Sequence, residues 1–369
     1  MDRRNLWKEI LLFAAMVSLE CSGVGLTVIY KEATLKGMSN YVFVTYSFAI
    51  ATLVLLPFAF YFRMSTSTVL PSVRFPFIFR ICLLGLTGSL AMILGYKGIA
   101  YSSPTLASAM STLTPAFTFT LAVIFRMEKL ILRSAKTQAK IIGTIASISG
   151  ALVVVLYEGP TILSSSAKHP TSLQFLLGSS LSSWVIGGLL LSVEYLLFSF
   201  WYIIQTEVIK MYPSEFEVVF LYNLISTIIC AVICFTAETN LSAWRLSSDI
   251  AIVAIIYSGF TGTSLTTVVH TWALHIKGPV YVTCFKPLSI AIAAVLCFIF
   301  LGDALYLGRV IGAVIISMGF YAVIWGKANE EINEDDSSFD DTNSKSKSPL
   351  LQSLRDVEDT QSSTESYTN

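Results

Sequence analysis

Two acidic residues sit where acids are costly. Glu20 and Glu194 each lie near the middle of a long apolar run, 174 residues apart. A carboxylate at the centre of a bilayer costs about 2.5 kcal/mol or more, so such a group is expected to face other protein and to act there. Burial favours the neutral acid, and a carboxyl poised between its two forms suits proton exchange near neutral pH. The competing use is a protonated carboxyl that bonds a neighbouring helix. Lys286 precedes Pro287 inside another apolar run. Proline removes a backbone donor, which is expected to leave carbonyls free to bind something else. The lysine could pair with a buried carboxylate, hold an anionic group, or reach toward an aqueous face. Pro115 makes the equivalent break earlier in the chain. Around it lie Thr105, Ser108, Ser111, Thr112 and Thr118. The set Ser108, Ser111, Thr112, Pro115 recurs at helical spacing and forms one small polar face. Gly259, Thr263, Thr266, Thr267 and His270 do the same in a later run. Such faces line a polar cavity or let helices approach closely. Tyr96, Trp201, Asn223 and Trp272 are further aromatic and polar candidates, whereas Gly308, Gly312, Gly143 and Ser147 read as packing positions.

The elements that must position these groups are about ten apolar runs between Lys8 and Gly326. A run of ~20 apolar residues spans ~30 Å of hydrocarbon as a helix. Lipid offers the backbone no water, so each run must be helical or part of a closed barrel, and these runs are too long for barrel strands. The chain is 54% hydrophobic and 13% charged, against ~25% charged for a soluble domain. Helices are expected at roughly 10–30, 41–62, 77–97, 104–126, 139–156, 184–206, 216–236, 250–271, 279–301 and 308–325. The sequence thus predicts an all-α membrane protein with ten transmembrane helices. Its expected segments are 1–9, a first five-helix unit 10–156, a linker 157–183, a second unit 184–326 and a tail 327–369.

Zero net charge conceals a polarity along the chain. Up to Gly326 there are 20 Lys/Arg against 13 Asp/Glu; from Lys327 onward there are 4 against 11. The acidic tail, rich in Ser and Thr, is too poor in apolar residues to order itself. Lys and Arg in the loops place both termini on the cytosolic side. No cleavable signal peptide is expected, because the first run is too long for one. Asn240-Leu-Ser is a glycosylation sequon on the expected outer side.

The two halves repeat. Gly37-Met-Ser matches Tyr212-Pro-Ser, Thr114-Pro115 matches Lys286-Pro287, and Arg126-Met-Glu128 matches Leu301-Gly-Asp303, at offsets of 175, 172 and 175. Gly143 and Gly150 match Gly312 and Gly319. Five spans per copy is an odd number, so the copies must lie in opposite orientations. Inverted repeats of this kind commonly meet around a midplane site.

Catalytic and metal chemistry find no support. There is no His-Glu-x-x-His, P-loop or Gly-x-Ser-x-Gly. Leu301-Gly-Asp303 lacks the first glycine of an intramembrane aspartyl protease motif, since Phe300 stands there. His169, His270 and His275 form no ligand cluster, and the six cysteines all fall within apolar runs. No cofactor is expected. The basic residues are spread over loops as topology requires, so nucleic-acid binding is not indicated.

The chain resembles plant members of the drug/metabolite transporter superfamily, in the nodulin-21-like or UMAMIT group (WAT-one-related proteins) with two EamA domains. The residues carrying the likeness are Lys36-Gly-Met-Ser39, Leu113-Thr-Pro-Ala-Phe117, Phe125-Arg-Met-Glu128, Ala139-Lys-Ile-Ile-Gly143, Trp201-Tyr-Ile-Ile-Gln205, Tyr212-Pro213, Lys277-Gly-Pro-Val-Tyr281, Phe285-Lys-Pro-Leu288 and Tyr321-Ala-Val-Ile-Trp-Gly-Lys327. The resemblance implies ten spans, cytosolic termini and facilitated or proton-linked movement of amino acids, auxin or related metabolites. It also implies the plasma membrane first, with tonoplast and endoplasmic reticulum open. Many relatives carry Tyr-Arg where this chain has Tyr46-Ser47, and Gln-Phe where it has Leu19-Glu20, which alters the charge near the expected cavity. Partners are therefore lipid, a small organic substrate and protons. The other reading is a non-transporting regulator that signals through the tail, where Ser346, Ser348-Pro349 and Leu350-Leu351 could be modified or sorted.

Overall fold

A computed structural model describes residues 3–65, 75–102, 104–127, 134–157, 160–163, 181–212, 214–238, 241–246, 248–296 and 305–308, with most positions of 311–326. The helices are α1 (Arg3–Leu35), α2 (Asn40–Ser65), α3 (Phe75–Tyr101), α4 (Pro104–Met110), α5 (Thr114–Ile124), α6 (Ala135–Leu156), α7 (Leu181–Met211) and α8 (Glu215–Ala237). They continue as α9 (Asp249–Tyr257), α10 (Thr266–Lys277), α11 (Pro279–Cys284) and α12 (Leu288–Leu296). The described positions between 307 and 326 are also helical. Among the described residues, 7 helices are long and apolar enough to cross a membrane.

The sequence predicts unbroken fourth, eighth and ninth helices, and the structure departs from each. A 3₁₀ turn, Ser111–Leu113, joins α4 to α5, with Pro115 in the first turn of α5. There a missing N–H costs nothing, so the proline starts a helix rather than kinking one. A π-helical stretch, Ser258–Leu265, joins α9 to α10. The turn Phe285-Lys286-Pro287 separates α11 from α12. Two short strands, β1 (Thr161–Leu163) and β2 (Leu305–Tyr306), pair antiparallel and tie the linker to the start of the last helical segment.

The distribution of side chains is that of a protein in lipid. Leu53, Phe60, Leu189, Ile228 and Phe235 are exposed. Ser47, Ser89, Gln205, Asn223, Ser226 and Thr271 are buried completely. A large apolar surface outside and polar groups inside is the pattern expected when the solvent is hydrocarbon.

Close approaches fix the bundle. A methyl group on Gly85 would lie 2.6 Å from Ile225 Cγ2, and one on Gly259 2.6 Å from Ile50 Cγ2, so α3 rides on α8 and the π stretch rides on α2. Gly143 and Gly319 face each other's carbonyl oxygens, bringing α6 against the last helix. The end of α1 is a Schellman turn. Gly37 (φ 91°) donates to the Thr34 carbonyl and Met38 to that of Ala33, which satisfies two terminal acceptors in a geometry glycine adopts without strain. Lys31 Nζ then donates to the carbonyls of Ile99, Ala100 and Ser102 at 3.0, 2.8 and 2.8 Å, capping the end of α3.

Candidate functional site

The breaks in the helices converge on one cavity of about 220 Å³. Its walls come from α1 (Glu20, Gly23, Val24, Thr27), α3 (Met92, Tyr96, Ile99), the α4–α5 region (Ala107, Ser108, Ser111, Thr114) and α7 (Glu194, Tyr195, Phe198, Trp201, Tyr202). Tyr222, the π stretch and start of α10 (Gly262, Thr263, Thr266, Thr267, His270), Lys286 and Ser289 complete it.

Of the residues expected from sequence, Glu20, Glu194, Lys286, Tyr96, Ser108, Ser111, Thr263 and His270 all line this chamber. Thr112, Pro115 and Pro287 are buried beside it and shape the backbone. Among the lesser candidates, Trp201 lines the chamber; Asn223 and Trp272 do not. The side chain of Thr105, the Asn240 sequon, Cys297 and the tail 327–369 lie outside the described residues. Cys21, Cys82, Cys230, Cys234 and Cys284 are free thiols, and no group of metal-ligating side chains occurs among the described residues.

Lys286 pairs with a buried carboxylate: its Nζ donates to Glu20 Oε1 at 2.8 Å. The carbonyls expected to be free around Pro287 are taken up. Thr283 O accepts from the Lys286 N–H at 3.1 Å and Phe285 O from that of Leu288 at 3.0 Å. Lys286 O accepts from the Ser289 N–H and hydroxyl at 3.1 and 2.7 Å, and from the Ser111 hydroxyl at 3.4 Å. The break therefore closes as a tight hydrogen-bonded turn, and what it delivers to the chamber is the lysine head group.

Glu194 has the opposite environment. It is buried, its Oε2 has no hydrogen-bond partner, and it packs against Gly95, where a methyl group would lie 2.1 Å from the carboxyl carbon. Other buried polar atoms of the walls also lack partners: Trp201 Nε1, Thr114 Oγ1, Thr263 Oγ1 and His270 Nε2. Buried donors and acceptors are ordinarily satisfied, so five such atoms around one chamber mark a place where something polar binds. The aromatic wall is continuous, with Trp201 5.4 Å from Tyr202 and 5.5 Å from Tyr222 between ring centroids.

The sequence reading missed Gly95, Thr27, Phe198 and Tyr202. A usable signal was present for two of them. Glu20, Val24 and Thr27 stand at helical spacing, and so do Glu194, Phe198 and Trp201, each 174 residues from its counterpart.

Comparison with known proteins follows the same lines. Residues 6–156 match the EamA-like transporter family. The chain is 56% identical to WAT1-related protein At5g40240 of Arabidopsis thaliana, over 89% of this chain and 91% of that one. This chain belongs to the WAT1-related family, within the plant drug/metabolite transporters. It is also 53% identical to WAT1-related protein At4g15540 (88% of this chain, 90% of the relative) and 45% identical to At3g28050 (97% and 100%), both of Arabidopsis thaliana. A crystal structure superposes with a TM-score of 0.61 at 13% identity, over 87% of this chain and 98% of its own, which is a likeness of fold. The protein is a multi-pass membrane protein of a transporter family.

Proposed function

We propose that this WAT1-related protein is a secondary transporter. It moves small organic metabolites through the chamber by alternating access between two inverted five-helix halves, 10–156 and 184–326. The observation that carries this reading is the pairing of the walls. Glu20 and Glu194, Val24 and Phe198, Thr27 and Trp201, Met92 and Thr266, and Tyr96 and His270 all line the same space, each pair 174 residues apart. Contacts between counterparts support the same geometry. Gly85 meets Ile225 as Gly259 meets Ile50, and Thr52 Oγ1 lies 3.1 Å from Thr227 Oγ1, 175 positions on. A residue that touches its own counterpart sits on a two-fold axis, and a chamber on that axis can open to either side by a rocking of the halves.

Coupling to protons through the two carboxylates, cytosolic termini and a plasma-membrane location belong to the same proposal. The test is uptake by purified protein in liposomes, screened with labelled amino acids, auxin and other organic acids, with and without a pH gradient. Saturable uptake of at least one class is expected, and Glu20→Gln should abolish the pH-driven component. Absence of uptake by folded, oriented protein across the whole screen overturns the transporter reading; unchanged pH dependence in Glu20→Gln removes that residue from the proton path.

A further inference from the structure

The counterpart pairs are equivalent in position and different in chemistry, and the difference sorts cargo by charge. Glu20 is neutralised by Lys286 at 2.8 Å, and the face of α1 beyond it carries Val24 and Thr27. Glu194 has no partner at Oε2, and the face of α7 beyond it carries Phe198 and Trp201 one and two turns on. We propose, on the transporter reading above, that the Glu194 wall is a subsite for a protonated amine on an apolar or aromatic body. The ammonium would sit against Glu194, and the body along Phe198 and Trp201.

Three observations carry this. First, an acceptor oxygen that is buried and unpartnered is satisfied by an N–H donor, and a charged donor satisfies it best. Second, Trp201, Tyr202 and Tyr222 form one run of rings beside that acceptor, and ring faces attract cations. Third, Lys286 is the one lysine or arginine lining the chamber among the described residues, and it is committed to Glu20. An anionic cargo would have to break that ion pair in a desolvated site, at a cost of several kcal/mol. With Glu20 and Lys286 cancelling, the charge left over is that of Glu194. The chamber therefore favours a cation over an anion of the same shape.

The test uses full-length purified protein in detergent and in liposomes, with phenethylamine as cation and 3-phenylpropionate as anion of closely similar shape. Equilibrium binding of radiolabelled phenethylamine is read at neutral pH. The wild type should bind it saturably and at least tenfold more tightly than 3-phenylpropionate. Glu194→Gln should weaken binding tenfold or more, and Trp201→Leu severalfold. Glu194→Asp, which keeps the charge, should retain binding better than Glu194→Gln and serves as the second variant if Glu194→Gln elutes as aggregate. Equal or tighter binding of the acid, no binding of the amine, or unaltered amine binding in folded Glu194→Gln overturns the subsite. The two proposals fail separately. Amine binding without flux of any solute sinks the transporter reading; flux of other solutes without amine binding sinks the subsite alone.

Discussion

At the scale of single residues, the buried ion pair is the sharpest prediction. Removing one partner of a buried pair leaves an uncompensated charge and costs about 3–5 kcal/mol, whereas replacing both with apolar groups of similar size is often neutral. Lys286→Met alone is therefore expected to lower the thermal midpoint of detergent-solubilised protein markedly, and Glu20→Gln to lower it less because the amide stays neutral. The double variant Glu20→Gln/Lys286→Met should recover most of the Lys286→Met loss. Additive losses in the double variant would mean that the 2.8 Å contact does not couple the two residues energetically. Sequence alone made Glu20, Glu194 and Lys286 conspicuous, since ionisable groups are rare in apolar runs. It could not say which carboxylate the lysine takes, because that depends on how the α11–α12 turn aims one side chain across to α1. Gly95 was illegible for a plainer reason. A glycine in an apolar helix looks like any packing residue until the side chain that fills its missing Cβ, here Glu194, is known.

At the scale of elements, the apolar runs gave the long helices within a few residues, because twenty apolar residues leave lipid-embedded backbone no other choice. The interruptions were less legible. Pro115 and Pro287 announced two of them. The π stretch Ser258–Leu265 has no proline, and its neighbour in the other half of the chain, within α3, is regular helix. Such bulges often accompany functional sites, and this one presents Thr263 to the chamber. Two predictions belong here. Gly85→Ala places a methyl carbon 2.6 Å from Ile225 Cγ2, on a side chain stiff at χ1, so it should destabilise by about 1–3 kcal/mol. Adding Ile225→Ala should relieve the clash, and failure of that rescue in thermal unfolding would show that the contact does not hold α3 to α8. Lys31→Met uncouples the end of α3 from α1 by removing three charge-assisted hydrogen bonds. A loss of about 2 kcal/mol is expected, with faster hydrogen exchange confined to the amides around 97–102. A uniform increase across the bundle would mean that Lys31 supports the whole fold rather than that helix end.

At the scale of the whole molecule, the consequence of two inverted halves is that counterpart positions lie on opposite sides of the membrane. Lys36, just past the end of α1, and Lys210, in the last turn of α7, are 174 residues apart and both exposed. Each follows the first long helix of its half, so a chain whose halves ran in the same direction would present both to one compartment. Inversion demands the reverse, and the loop charges predict which is which: cytosolic loops carry the excess of Lys and Arg, placing Lys36 outside and Lys210 inside. In a background with the native cysteines replaced by serine, Lys36→Cys should react with an impermeant maleimide in intact cells, and Lys210→Cys only after permeabilisation. Neither head group lines the chamber, so both variants should bind and transport as the parent does, which separates a topological result from a folding failure. Labelling of both from the same side would remove the two-fold axis, and with it the physical reason for Glu20 and Glu194 to meet across one cavity. The reversed pattern, Lys210→Cys outside, would keep the axis and turn the whole molecule over, moving the amine-selective wall of α7 to the opposite approach without changing its chemistry.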